Sequence, residues 1–138
     1  MATILAHIQV HPGAEARFEA IAARLYEATH EQETGVGQYQ YWRGRRPGFY
    51  YALLAFDDHR AFIAHQASAH HEAATPELGE VIAEMRLEWV DPVPGASPLG
   101  PTTHQAAPAG ADDDLVRITE LFAARVADWW GDVADQSS

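Results

Sequence analysis

The feature that most constrains this chain is the order of its hydrophobic periods over the first 90 residues. Residues 3–10 alternate, with Ile4, Ala6, Ile8 and Val10 on one side and Leu5, His7 and Gln9 on the other. That period of two reads as a strand. His11-Pro12-Gly13 breaks it. Phe18, Ile21, Leu25 and Ala28 then recur at helical spacing, predicting a helix over 14–30. Thr34 to Gly37 is a turn, and 38–43 returns to alternation, with Tyr39 and Tyr41 against Gln40 and Trp42. A Pro47-containing turn leads to 49–56, an almost unbroken apolar run expected to be covered on both faces. Asp57 is the expected N-cap of a second helix over 58–73, carrying Phe62 and His65 on one face. A short turn or helix over 76–82 precedes a last strand, 83–90, in which Met85, Leu87 and Trp89 alternate with Arg86, Glu88 and Val90.

The order is β-α-β-β-α-β. Right-handed crossovers turn it into a ferredoxin-like α+β fold, a four-stranded antiparallel sheet with both helices on one face. The other sheet face is left bare, and a second copy of the chain is its expected cover, making a homodimer.

Residues 91–111 hold five of the eight prolines and carry no period. They read as a linker or extended arm. Residues 112–131 read as one amphipathic helix: three aspartates at its start, a stripe of Leu115, Ile118, Phe122, Val126 and Trp129, and Gly131 at its end. The expected organisation is therefore a domain over 1–92, a linker over 93–111, a C-terminal extension helix over 112–131 and a tail over 132–138. The helix is expected to dock on its own dimer, either across the partner subunit or as a lid beside the pocket mouth.

Composition excludes several chemistries. The chain has no cysteine, which removes disulfides, thiolate nucleophiles and Cys-ligated metals. All nine basic residues are arginine, so lysine Schiff bases are excluded. A net charge of −11 disfavours nucleic acid and anionic membrane partners. No apolar run approaches the ~20 residues of a membrane helix. The Met1-Ala2-Thr3 start lacks a basic region and a cleavage site. The expectation is a cytoplasmic protein with a small, weakly charged ligand.

His65 is the first candidate for catalysis, lying three residues after Phe62 on the stripe that should face the sheet. A neutral imidazole suits proton abstraction near neutral pH. His70 and His71 follow at the helix end; on one ideal helix His65 and His70 would stand about 140° apart. Arg86, mid-strand among apolar residues, is either an ion pair with Glu84, Glu88 or a partner chain, or a donor to an oxyanion. Tyr39, Tyr41, Trp42, Tyr51, Phe62 and Trp89 are candidates to line a pocket for a flat ring, beside plain packing roles. No metal site is expected. His7 and His11 have four-residue spacing but sit on a strand running into Pro12, and the helical histidines lack it.

Three stretches carry a family resemblance. AHIQVHPGAEARFEAI resembles the first strand, Pro-Gly turn and first helix of the antibiotic biosynthesis monooxygenase domain, a dimeric α+β barrel group. FYYALLAFDDHRAFIAHQASAHH is similar to its third strand and second helix, including a His-x-x-Ser-x-His pattern at His65, Ser68 and His70, and EMRLEWVDPV to its fourth strand. The resemblance implies oxygenation of electron-rich phenols, anthrones or quinols by O₂, with no metal or flavin cofactor. It also raises His70 above His71. One departure is the third strand, where many members keep a glutamate and 52–56 here holds no acid. Haem degradation is disfavoured, because its Trp and His positions correspond to Phe56 and roughly Ala74. The alternatives are a non-catalytic barrel that binds or senses a small aromatic ligand, and a dimerisation module that uses its C-terminal helix.

Overall fold

A computed structural model describes residues 1–136. The strands Ala2–Val10 (β1), Val36–Arg43 (β2), Phe49–Phe56 (β3) and Ile82–Val90 (β4) form one antiparallel sheet in the order β2-β3-β1-β4. Helices Glu15–Gln32 (α1), His59–Gln66 (α2) and Ala69–Val81 (α3) are followed by Asp113–Leu121 (α4) and Asp128–Gln136 (α5). This is the expected ferredoxin-like α+β architecture, with C-terminal helices added.

The turns follow their glycines. Gly13 and Gly48 adopt φ of 89° and 82°, a region open to glycine at little cost. Phe18, Ile21, Ala22, Leu25 and Thr29 give α1 a buried stripe against the sheet. The same sheet face presents Ile4, Ala6, Ile8 and Val10, all buried. The register puts Ala6 opposite Ala52 on one side and Leu87 on the other, while Ala52 also faces Tyr41. Two alanines thus sit side by side at the centre of the sheet. Their missing side-chain volume leaves room between sheet and helices.

Two expected boundaries move. The second helix is not one helix over 58–73. It stops at Gln66, and a new helix starts after Ser68, whose Oγ accepts the His71 N–H at 3.3 Å. That hydroxyl also donates to the His65 carbonyl at 2.7 Å, so one serine ends one helix and caps the next. The N-cap of α2 is Asp58 rather than Asp57; its side chain accepts the Ala61 N–H at 2.7 Å. Helix α3 runs on through Pro76 to Val81, tied to α1 by Arg24–Glu77 at 2.7 Å and by Arg17–Glu80.

The single C-terminal helix expected over 112–131 is two helices with an irregular stretch between them. Tertiary hydrogen bonds outcompete the helical ladder there. The buried His59 donates from Nε2 to the Phe122 carbonyl at 2.9 Å, and the Ala124 N–H donates to His104 Nδ1 at 3.1 Å. Gly131 lies inside α5 and does not end it. Of the expected stripe, Leu115, Ile118 and Phe122 pack on the core, whereas Val126 and Trp129 are exposed. Within the expected tail over 132–138, residues 137 and 138 lie outside the described residues.

The proline-rich arm is pinned along its length. Thr102 Oγ1 accepts the Thr3 N–H at 3.1 Å and donates to the Val90 carbonyl at 2.7 Å. Further on, the Gln105 N–H donates to His59 Nδ1 at 3.0 Å.

Candidate functional site

Between the sheet and helices α2 and α3 lies a cavity of about 380 Å³. Ala6, Ala52 and Leu54 form its floor, with Tyr39, Tyr41 and Phe62 along the sides. His65 and His71 are the histidines in its wall, and Phe122 reaches in from the C-terminal extension. The size falls within the range of small-molecule pockets, and such pockets are mainly apolar with a few polar groups.

His65 is 1% exposed. Its Nδ1 lies 2.8 Å from Oε2 of Glu33, the residue that ends α1. A carboxylate only accepts, so Nδ1 carries a proton, and in the neutral form of the ring Nε2 is the nitrogen with the free lone pair. His70 Nε2 meets the same Glu33 oxygen at 2.6 Å. Burial pushes the Glu33 carboxyl up, but the hydrogen bonds and charge of His65 and His70 outweigh that and hold it below its ordinary range. Glu33 therefore stays ionised. His71 also borders the cavity, its imidazole pushed down to about 4 by burial and by the neighbouring His65 and His70.

Two phenols complete the polar side. Tyr39 and Tyr41 share a sheet face and their hydroxyls lie 2.8 Å apart. Burial raises both pKa values, so both remain protonated. Two hydroxyls joined by one mutual hydrogen bond leave one proton for a third oxygen. The Tyr39 ring packs 5.1 Å from the His65 ring, so donor and base are neighbours.

The sequence candidates divide by sheet face. Tyr39, Tyr41, Phe62 and His65 meet at the cavity, and His70 joins them through Glu33. Trp89 packs behind Phe62, at 5.4 Å between rings, and is not a lining residue. Trp42 and Tyr51 are paired across β2 and β3 on the opposite face, where both are exposed. Arg86 lies on that opposite face as well, next to Glu88 at 3.2 Å. Of the two readings of Arg86, the ion pair with Glu88 is present, and strand parity turns Arg86 to the face away from His65.

Glu33 was not among the sequence candidates. It brings a carboxylate to His65 from the far end of α1. The separation of about 140° between His65 and His70 on one ideal helix does not apply, since they stand on two helices separated by Ser68. Oε2 of Glu33, Nδ1 of His65 and Nε2 of His70 all lie within 4.8 Å of one another, close enough to serve one metal ion. Phe122 belongs to the stripe expected to dock, but no local pattern shows that it reaches into a cavity built 60 residues earlier.

The ferredoxin-like sheet thus carries a buried His–carboxylate pair beside an apolar chamber. The chain belongs to the antibiotic biosynthesis monooxygenase family, whose model matches residues 1–77, more than half of its length. No curated protein matches it. Among solved structures it is similar to a provisionally named antibiotic biosynthesis monooxygenase of Caulobacter crescentus CB15, at 26% identity and a TM-score of 0.63, covering 67% of this chain and 89% of that one. It is similar to PA3566 of Pseudomonas aeruginosa, at 20% identity, TM-score 0.61 and coverage of 67% and 93%. Rv0793 of Mycobacterium tuberculosis gives 18%, 0.63, and 70% and 98%. The last two likenesses are of fold alone. Among the described residues no helix is long and apolar enough to cross a membrane.

Proposed function

We propose that this protein is a cofactor-independent monooxygenase that oxidises a small phenol, anthrone or quinol with O₂. The observation that carries the reading is the Glu33–His65 hydrogen bond in the wall of an apolar cavity. Nε2 of His65 takes the acidic proton of the bound substrate, and the Glu33 carboxylate stabilises the imidazolium that forms. The spare Tyr39–Tyr41 proton hydrogen-bonds the substrate oxyanion. The anion passes an electron to O₂ far more readily than the neutral phenol does, and the carbon–oxygen bond forms at the activated ring carbon. Overall the substrate loses two hydrogens, both from the CH₂ of an anthrone or one from a ring carbon and one from a hydroxyl of a phenol or quinol, and gains one oxygen atom, and the second oxygen atom leaves as water. O₂ is the oxidant, and it takes up all four electrons. A homodimer paired through the sheet face that carries Trp42 and Tyr51, and a cytoplasmic location, belong to the same reading.

The test is O₂ uptake with a panel of hydroquinones and anthrones, in the presence of a chelator. Under ¹⁸O₂, one labelled atom is expected in the product and one in water. Saturable binding with no O₂ uptake across the panel would instead assign the cavity to sequestering an aromatic ligand.

A further inference from the structure

We propose that Glu33, His65 and His70 form a binding site for a first-row divalent transition metal at the edge of the cavity. Three side chains from three helix ends converge there: the C-cap of α1, the last turn of α2 and the first turn of α3. Both imidazoles aim a nitrogen at one point, since each meets the same Glu33 oxygen, at 2.8 and 2.6 Å. An ion with bonds of about 2.1 Å holds neighbouring ligand atoms roughly 3.0–3.4 Å apart. Opening these two contacts to that spacing and turning both rings from the Glu33 oxygen to the ion converts the hydrogen-bonded cluster into a coordination shell, with loss of the two imidazole protons.

The surroundings favour such an ion. The side chains of His65, His70 and Glu33 are 1%, 12% and 13% exposed, so little water has to be displaced from them. Among the described residues the two imidazoles are the hydrogen-bond partners of the Glu33 side chain, and no arginine competes for it. The geometry is held from outside by Ser68, which fixes the turn between α2 and α3. Two imidazoles and one carboxylate on one side of an ion leave the opposite positions to water or ligand. This donor set suits Fe(II), Co(II), Ni(II) or Zn(II), whereas Ca(II) and Mg(II) prefer all-oxygen shells.

The site shares residues with the base but does not rest on the oxygenase reading. A bound ion would take Glu33 from His65, so the two states of the cluster exclude one another.

The test is a titration of the chelator-stripped full-length protein with Co(II), followed by its visible d–d absorption in the absence of any substrate. One equivalent per chain is expected, with saturation at micromolar Co(II) and displacement by Zn(II). E33Q and H70A are each expected to weaken binding by more than the ~10–100-fold lost with an outer-sphere partner. H7A, whose side chain meets Glu88 and the Tyr51 ring on the other sheet face, is expected to bind as the parent does. Circular dichroism checks folding, and H70Q replaces H70A if the latter does not fold. No d–d band at millimolar Co(II), or a band that survives either substitution, overturns the three-ligand site. Because the readout is absorption without turnover, its failure leaves the oxygenase reading standing, and failure of O₂ uptake leaves this one standing.

Discussion

The Nδ1–H of His65 donates to Glu33 at 2.8 Å although 32 residues separate them in the chain. This fixes which nitrogen of the imidazole is free and which way the ring faces. Removing the base with H65A is expected to lower O₂ turnover by about 10²–10⁴-fold. E33Q keeps the shape but not the charge, and is expected to lower kcat with KM nearly unchanged. Steady-state O₂ electrode kinetics on folded variants check both. Turnover near the parent's in H65A would remove His65 as the base.

The tyrosine pair makes a second prediction. Y39F and Y41F combined remove the pair's spare proton, and kcat is expected to fall by up to the ~10²–10³-fold typical of an oxyanion donor. Binding of an O-methylated substrate analogue, measured by tryptophan fluorescence, is expected to change little. An equal loss in analogue affinity would show that the hydroxyls serve packing instead.

His59 ties the C-terminal extension to the core through the Phe122 carbonyl and the Gln105 N–H. H59A leaves buried polar groups unpaired, at a cost of about 1–3 kcal/mol each. The melting temperature should fall by several degrees. A truncation ending at Pro92 removes the whole clamp, together with Phe122 from the cavity wall. It should melt lower still and bind ligand more weakly. Melting at the parent temperature would contradict docking of the extension.

The sheet face away from the helices carries Trp42 and Tyr51, both exposed in the single chain. Light scattering at micromolar concentration is expected to give twice the chain mass. W42E should shift the protein toward monomer by setting a charge against the partner sheet. A monomer in the parent protein would refute the dimer.

The sequence patterns that survive in the structure are the short-range ones. Phe49–Phe56 is bounded by a glycine turn and an aspartate, and its limits are those expected from the apolar run. Strand parity on β1 places Ile4, Ala6, Ile8 and Val10 inside, as their alternation implies. What periodicity cannot display is competition from side chains. Ser68 cuts a helix that apolar spacing alone would continue, and that cut brings His65 and His70 together. Glu33 sits in a polar stretch after α1, and nothing local marks it as a partner for residues beyond 60. Arg86 illustrates the converse case. Its neighbours are apolar, but they point to the other side of the strand, and the pairing of Glu88 with both His7 and Arg86 belongs to the outer face.

The wall residue Phe122 has a consequence for biosynthesis. His59 and the carbonyl it holds are 63 residues apart. At about 5–20 residues per second, a ribosome needs roughly 3–13 s to travel between them. All four strands precede α4 in the chain, so the sheet can assemble during that interval with the chamber still open on the Phe62 side. Nascent chains held at that stage would be the form most exposed to chaperones and proteases, and arrival of the last helices would close the window.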